Sequence, residues 1–215
     1  MIGMEQIIHS KEFRFLTKGL RSIFTIMMVL MIIGLIMISV LCAGVIFVSE
    51  NSVNNFLEQG NITAFIHLEG IQIELADKVT KSIQYTKMSV VKLLLTAIIY
   101  IGLLLLIVVQ VRNLLSNLSK GIIFSEKNSR KIEWIAYTVV VLSLTVDTFR
   151  TYIAYTVAEQ IKLGELLVET GLIEGISFHF AGINWTLLLC GFVIWTIARV
   201  FRYGAFLQDE YDATA

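Results

Sequence analysis

The feature that most constrains this chain is a set of long apolar runs that lack charged side chains. Residues 22–49, 93–111 and 175–198 contain no Asp, Glu, Lys or Arg. A fourth run, residues 134–158, is interrupted by only two charged side chains. About 20 residues of helix are enough to cross the roughly 30 Å hydrocarbon core of a bilayer. The sequence therefore predicts an all-α membrane protein with four transmembrane helices.

The composition agrees with this class and argues against several others. Charged residues make up 16% of the chain, whereas a soluble domain has about 25%. The net charge is zero, which argues against direct nucleic-acid binding because such proteins carry a basic excess. No Gly-rich phosphate loop, Cys-x-x-Cys or His-Glu-x-x-His pattern occurs. We therefore expect no catalytic, metal-binding or cofactor-binding constellation, and no enzymatic activity.

The distribution of Lys and Arg predicts the orientation of the chain. Residues 1–21, 112–133 and 199–215 hold eleven of the 17 basic residues, while five lie at or near the other two connections. Because Lys and Arg concentrate in cytoplasmic segments, both termini are predicted to be cytoplasmic, in a multi-pass protein of the cell membrane. The predicted order is a cytoplasmic amphipathic arm (1–21), a first span (22–49), an outer loop (50–87), a second span (88–111), a cytoplasmic loop (112–133), a third span (134–158), an outer loop (159–178), a fourth span (179–198) and a cytoplasmic tail (199–215).

The first outer loop contains a pattern typical of strands. Residues 65–68 and 71–75 alternate apolar with polar side chains around Gly70, which predicts a short β-hairpin. The second outer loop holds another candidate extended segment, residues 176–180. Two interpretations stay open: the loops pair into a small outer cap, or they only connect helices.

Two motifs lie in the predicted cytoplasmic segments. The first reads Gly-Ile-Ile-Phe-Ser-Glu-Lys-Asn-Ser-Arg-Lys-Ile over residues 121–132, and the second begins Val-Phe-Arg-Tyr-Gly and covers residues 200–214. Together they resemble the DUF2975 family of bacterial four-helix membrane proteins. The matching residues are Gly121, Phe124, Ser125, Asn128, Arg130, Lys131 and Ile132 in the first motif, and Phe201, Gly204, Leu207, Gln208, Glu210, Asp212 and Thr214 in the second.

The resemblance has departures and implications. Ile123 stands where the family usually has Pro, which predicts a looser turn, and Ala213 and Ala215 replace larger apolar residues. The family has no settled activity. Its members are often encoded beside a small helix-turn-helix regulator, and this implies a cytoplasmic helix-turn-helix transcription factor as partner.

The motif residues form a candidate partner site. Ser125 is suited to cap the third span, accepting a bond from the backbone N–H of residue 127 or 128. A basic loop and an acidic tail on one face could pair as a clasp; the alternative is a helix cap, basic anchors and a solvated tail. The candidate partner site comprises Phe124, Ser125, Asn128, Arg130, Lys131, Leu207, Gln208, Glu210 and Asp212.

The third span carries two charges at membrane depth, Asp147 and Arg150. They are neighbours at i,i+3, and small or polar residues continue the same stripe along the helix. A charge within the membrane marks a functional site by default; the alternative is a structural pair that determines helix packing. The candidate intramembrane site comprises Asp147, Arg150, Ser143, Thr151 and Asn184. Glycines at positions 34, 44, 182 and 191 are expected to mark close helix contacts.

Three functional hypotheses follow. The first is a non-catalytic membrane sensor or regulator that works with a cytoplasmic partner. The second is a small transporter or channel that uses Asp147 and Arg150, and would form a homo-oligomer because four helices are few. The third, an enzyme acting on lipids or peptides, is least favoured because the site patterns are missing.

Overall fold

The computed structural model describes residues 11–59, 65–68, 71–74, 86–160, 162–169, 174–180 and 182–214. Among these residues, four helices are long and apolar enough to cross a membrane: α1 (Lys11–Phe47), α3 (Lys87–Leu118), α4 (Glu126–Gln160) and α6 (Trp185–Thr214). Two short helices, α2 (Glu50–Gln59) and α5 (Leu163–Glu169), lie between them, together with strands β1 (Phe65–Leu68) and β2 (Ile71–Glu74). The prediction of four candidate membrane-spanning helices is confirmed, and the chain is a multi-pass membrane protein.

The described chain divides into two compact units. The first contains the chain up to Ile36, residues Ile99–Asp147 and the chain from Gly182 onward. The second contains Met37–Ile98 and Thr148–Ala181. Both sequence motifs and the whole of α6 belong to the first unit.

Within the first unit, α4 and α6 approach closely and run antiparallel. A Cβ atom added at Gly191 would lie 2.7 Å from Val140 Cγ2, and one added at Gly182 would lie 3.2 Å from Asp147 Cβ. These two glycines mark close contacts, as predicted. The same prediction is wrong at Gly34 and Gly44, where an added Cβ would meet no atom of the described residues within 4 Å.

Helix α6 differs at both ends from the predicted fourth span, residues 179–198. It begins at Trp185, because the Asn184 side chain caps it: Asn184 Oδ1 accepts from the Leu187 N–H at 3.0 Å. At its other end it continues to Thr214, so the predicted tail is helical and continuous with the span. Helix α1 likewise begins at Lys11, inside the predicted arm.

In the second unit, the two strands lie where the alternating pattern predicted extended segments. They pair antiparallel, with Phe65 opposite Glu74 and Leu68 opposite Ile71. The described part of the second loop, residues 174–180, contains no strand, so a cap built from both loops is not supported. That segment packs on α4 instead: the Tyr155 ring contacts those of Phe178 and Phe180, with centroids 5.5 and 5.7 Å away.

One lysine of the second unit joins two helix ends. Lys87 Nζ donates to the Ile46 carbonyl at 2.9 Å, near the end of α1. The Lys87 N–H, in the first turn of α3, donates to Glu50 Oε1 at 2.7 Å. A cation near the carboxyl end of one helix and a carboxylate near the amino end of another both complement the helix dipoles.

Candidate functional site at the α3–α4 turn

Helix α3 ends in a turn that requires glycine. The Gly121 N–H donates to the Leu118 carbonyl at 3.0 Å, and the Ile122 N–H donates to the Asn117 carbonyl at 3.1 Å. This is the bond pattern of a Schellman motif, which needs a left-handed residue at its centre. Gly121 has φ of 82°, a conformation that glycine adopts without a Cβ clash. This turn places the first motif directly after α3.

Helix α4 then begins on a serine cap. The Asn128 N–H donates to Ser125 Oγ at 3.2 Å, which confirms the predicted role of Ser125 and satisfies one of the free N–H groups at the helix start.

The Asn128 side chain forms hydrogen bonds with the residues that connect α3 to α4. Its Nδ2 donates to the carbonyls of Ile122 at 2.9 Å and Ile123 at 3.0 Å, and its Oδ1 accepts from Asn117 Nδ2 at 2.6 Å. The residue is 0% exposed. Asn128 therefore shapes the turn from inside, and a partner would not contact it directly.

The two motifs meet through aromatic packing. The rings of Phe124 and Phe201 lie with centroids 5.3 Å apart. A Cβ atom added at Gly204 would lie only 2.6 Å from Phe124 Cδ1. The phenylalanine of the first motif therefore rests on the phenylalanine and glycine of the second, although the motifs are far apart in sequence.

A buried serine that was not predicted from the sequence adds a second link, between α4 and α6. Ser129 Oγ donates to the Ala198 carbonyl at 2.9 Å, and both residues are almost fully buried. The spacing of small residues could have indicated this contact. Ser129 lies seven residues before Ala136, so it continues the small-residue stripe of α4 by two helical turns.

An ion-pair cluster forms a third link between α4 and α6. Arg202 Nη2 lies 2.7 Å from Glu133 Oε2, and Arg199 Nη2 lies 3.4 Å from Glu133 Oε1. The hydroxyl of Tyr137 also donates to Glu133 Oε1, at 3.1 Å. The acid thus lies on α4 and the bases lie on α6, whereas the clasp between the basic loop and the acidic tail stays a prediction.

The two loop cations of the predicted clasp have other partners. Arg130 pairs with Glu126 one turn earlier on its own helix at 2.7 Å. Lys131 Nζ donates to the Asn113 carbonyl of α3 at 3.3 Å. A signal for the real cluster was present: Glu133 is the only acid between Glu126 and Asp147, and Arg202 lies within the Phe-Arg-x-Gly sequence of the second motif.

The remaining tail residues lie on the last turns of α6. Leu207, Gln208 and Glu210 are exposed, and Asp212 lies in the same helix. The Thr214 hydroxyl lies within hydrogen-bond reach of the Glu210 carbonyl, at 3.1 Å. The structure therefore joins Phe124 to the second motif but leaves the side chains of Leu207, Gln208 and Glu210 at the surface.

The candidate intramembrane residues are brought together in part. Ser143 is fully buried, and its carbonyl accepts from the Asn184 N–H at 2.9 Å. Asp147 is half-buried beside Gly182 in the same unit. Arg150 and Thr151 lie further along α4 in the second unit, with Arg150 exposed. Ser143 and Asn184 are thus in direct contact, and the functional role of the group stays a prediction.

Comparisons with known proteins agree with the motifs. A family model described as "Protein of unknown function (DUF2975)" matches residues 74–215. The matched region includes α3, α4, α6 and both motifs. No curated protein and no solved structure matches the chain.

Proposed function

Because the chain belongs to the DUF2975 family, whose members have no assigned activity, we propose a function from its own geometry. We propose that it is a non-catalytic membrane sensor or regulator that holds a cytoplasmic partner on the last turns of α6. The observation that carries this proposal is the exposed helical continuation of α6 beyond its links to α4.

The base of that continuation is firmly held. Glu133 binds Arg202, Phe124 packs on Gly204, and Ala205 is buried. A helix whose base is packed presents its following turns in one orientation, which reduces the ordering cost of binding.

The exposed turns combine apolar and acidic groups. Tyr203, Leu207 and Tyr211 follow one another at i,i+4 spacing, so they share one face, and all three are exposed. Asp209 and Glu210 are exposed beside them. Helix-turn-helix regulators carry basic surfaces for DNA, and an acidic helix with aromatic anchors complements such a surface. We propose that a regulator of this kind is the partner, held at the membrane away from DNA.

The proposal includes an orientation and a signal-receiving side. Both termini face the cytoplasm, as the Lys and Arg distribution indicates, and the outer loops, which include the β1–β2 pair, receive the signal. A signal can release the partner only if it binds the holding and releasing states with different affinity.

The test is capture of partners from cross-linked membranes, followed by mass spectrometry. The variant D209N/E210Q/D212N removes three carboxylates from α6, and E165Q/E169Q/E174Q removes three from the second outer loop. We expect a DNA-binding protein to be captured by the wild type and by the outer-loop variant, and to be lost from the α6 variant. Capture that survives in the α6 variant would contradict the proposal.

A transporter or channel is the second candidate, and one observation favours it. The non-helical residues 182–184 pack on α4 beside Ser143 and Asp147. Non-helical backbone at membrane depth occurs where it is buried in protein or lines a cavity.

In proteoliposomes, Asp147→Asn should then abolish ion or proton flux while Asp209→Asn leaves it unchanged. Partner capture by Asp147→Asn would be unaffected in that case.

A further inference from the structure

Two arginines of α6 share a single carboxylate of α4. Glu133 has a 14% exposed side chain; it accepts hydrogen bonds from Arg202 and Tyr137 and forms an ion pair with Arg199 at 3.4 Å. A carboxylate has about four acceptor positions, whereas each guanidinium has five N–H donors. Three groups therefore interact with the two carboxylate oxygens, whereas the guanidinium groups keep N–H donors that do not bind Glu133. The cluster of Glu133, Arg199 and Arg202 has a net charge of +1. The Nε atom of Arg202 is buried and has no hydrogen-bond partner among the described residues.

The cluster lies at the edge of the apolar part of α6. Arg199 is the first charged residue after the charge-free stretch 175–198. Its guanidinium carbon lies 4.8 Å from the ring centroid of Trp195, one turn earlier. Trp134 and Tyr137 are exposed on α4 in the turns beside Glu133. Because Trp and Tyr concentrate at membrane–water interfaces, these rings place the arginine pair at the level of the lipid headgroups.

We propose that Arg199 and Arg202 bind the phosphodiester of an anionic phospholipid headgroup. Guanidinium groups match phosphate oxygens with paired hydrogen bonds. The side chains of Arg199 and Arg202 are 48% and 40% exposed, so both remain accessible while Glu133 holds them. A phosphatidylglycerol headgroup carries an uncompensated negative charge that neutralises the cluster. A choline headgroup carries its own cation, which a positive site disfavours.

The source of the phosphate is the lipid and not free phosphate in water. The aromatic rings of Trp195, Trp134 and Tyr137 border the pair, and these rings suit the boundary between headgroups and acyl chains. The site is independent of the proposed partner surface, because it uses neither the carboxylates nor the apolar face of the last turns of α6.

The experiment is native mass spectrometry of the full chain, released from detergent after incubation with equal amounts of phosphatidylglycerol and phosphatidylcholine. We expect the wild type to retain several-fold more phosphatidylglycerol. Arg199→Gln should bring the ratio close to one, and it leaves the shorter Glu133–Arg202 bond in place so that the helix pair stays linked. Arg130→Gln is the matched control, because it removes the same charge from an exposed pair on the first turns of α4.

Two further variants separate lipid binding from folding. Arg202→Lys keeps the positive charge but loses the planar guanidinium and its paired N–H donors. This variant should therefore retain less phosphatidylglycerol than the wild type and more than Arg199→Gln. Glu133→Gln keeps both arginines, so it should retain at least as much as the wild type. A wild-type ratio near one, or an equal loss in Arg130→Gln, would overturn the proposal. Displacement of the lipid by millimolar inorganic phosphate would show a site for a free anion, and that result would also overturn it.

Discussion

Asn128 is a buried amide whose side chain forms three hydrogen bonds, to Asn117, Ile122 and Ile123. Two of these bonds are donated to backbone carbonyls of the turn. A charged residue could not replace it, since a buried carboxylate has no donor and a buried ammonium has no acceptor. At the residue scale, an asparagine at this position is explained by a need for a neutral group that both donates and accepts.

Asn128→Asp tests this role with almost no change in shape. The aspartate would lose both donated bonds and face two carbonyl oxygens, and each unsatisfied buried group costs roughly 1–3 kcal/mol. We expect the turn to open, with faster trypsin cleavage after Lys120 and a lower midpoint of thermal unfolding. Gln208→Glu makes the same amide-to-acid change at an exposed position and should leave both unchanged. Equal protease resistance of the two variants would refute this role of Asn128.

At the scale of elements, the pairing of α4 with α6 organises the first unit. Four links lie along it: Phe124 on Gly204, Glu133 with Arg202, Ser129 with Ala198, and Val140 against Gly191. Small residues allow the backbones to approach, and polar bonds then join them without a hydrophobic driving force, which lipid does not provide.

Gly191→Ala should weaken this pairing. Alanine favours a helix over glycine by about 0.5–1 kcal/mol, but the new Cβ would lie 2.7 Å from Val140 Cγ2 and 3.5 Å from the Ala136 carbonyl oxygen. Overpacking of this kind costs roughly 1–3 kcal/mol, so we expect a net loss of about 1 kcal/mol of stability in detergent.

The control for this prediction is Gly102→Ala in α3, where an added Cβ would meet nothing within 4 Å. It should raise the unfolding midpoint or leave it unchanged. Adding Val140→Ala to Gly191→Ala should recover part of the loss, because it removes the nearest contact. A Gly191→Ala variant as stable as Gly102→Ala would show that the helices are not in close contact there.

At the scale of the whole molecule, the basic residues predict one orientation for all four spans. Several of them also have structural partners: Arg112 Nε donates to Thr25 Oγ1 at 3.0 Å, and Arg199 and Arg202 bind Glu133. A residue that sets topology during insertion can therefore also link helices in the folded protein.

The orientation predicts which positions a membrane-impermeant maleimide reaches in intact cells. In a background without Cys42 and Cys190, Ser177→Cys should be labelled directly, because it lies in the second outer loop. Thr214→Cys should be labelled only after the membrane is permeabilised. Direct labelling of Thr214→Cys, or protection of Ser177→Cys, would reverse the proposed topology.

The local features of the site were largely predictable. Ser125 was expected to cap α4 because hydroxyl residues at that position accept from the first N–H groups, and Gly182 and Gly191 were expected at close contacts. The start of α6 was misplaced, since residues 179–184 are apolar enough for a span but the helix begins only after the Asn184 cap. The Glu133 cluster was not predicted, because charge counts by segment do not tell which helix faces carry the charges.

The membrane spans follow from sequence alone, because lipid offers no hydrogen bonds and a long apolar segment in it must be helical. The turn after α3 also follows from its neighbours in sequence, since a Schellman glycine and a serine cap act within a few residues. The bonds of Ser129 with Ala198 and of Glu133 with Arg202 each join residues 69 positions apart. Periodicity places such residues on a helix face, but it does not tell which faces pack together. The site at the start of α4 and the end of α6 therefore forms only when these helices pack.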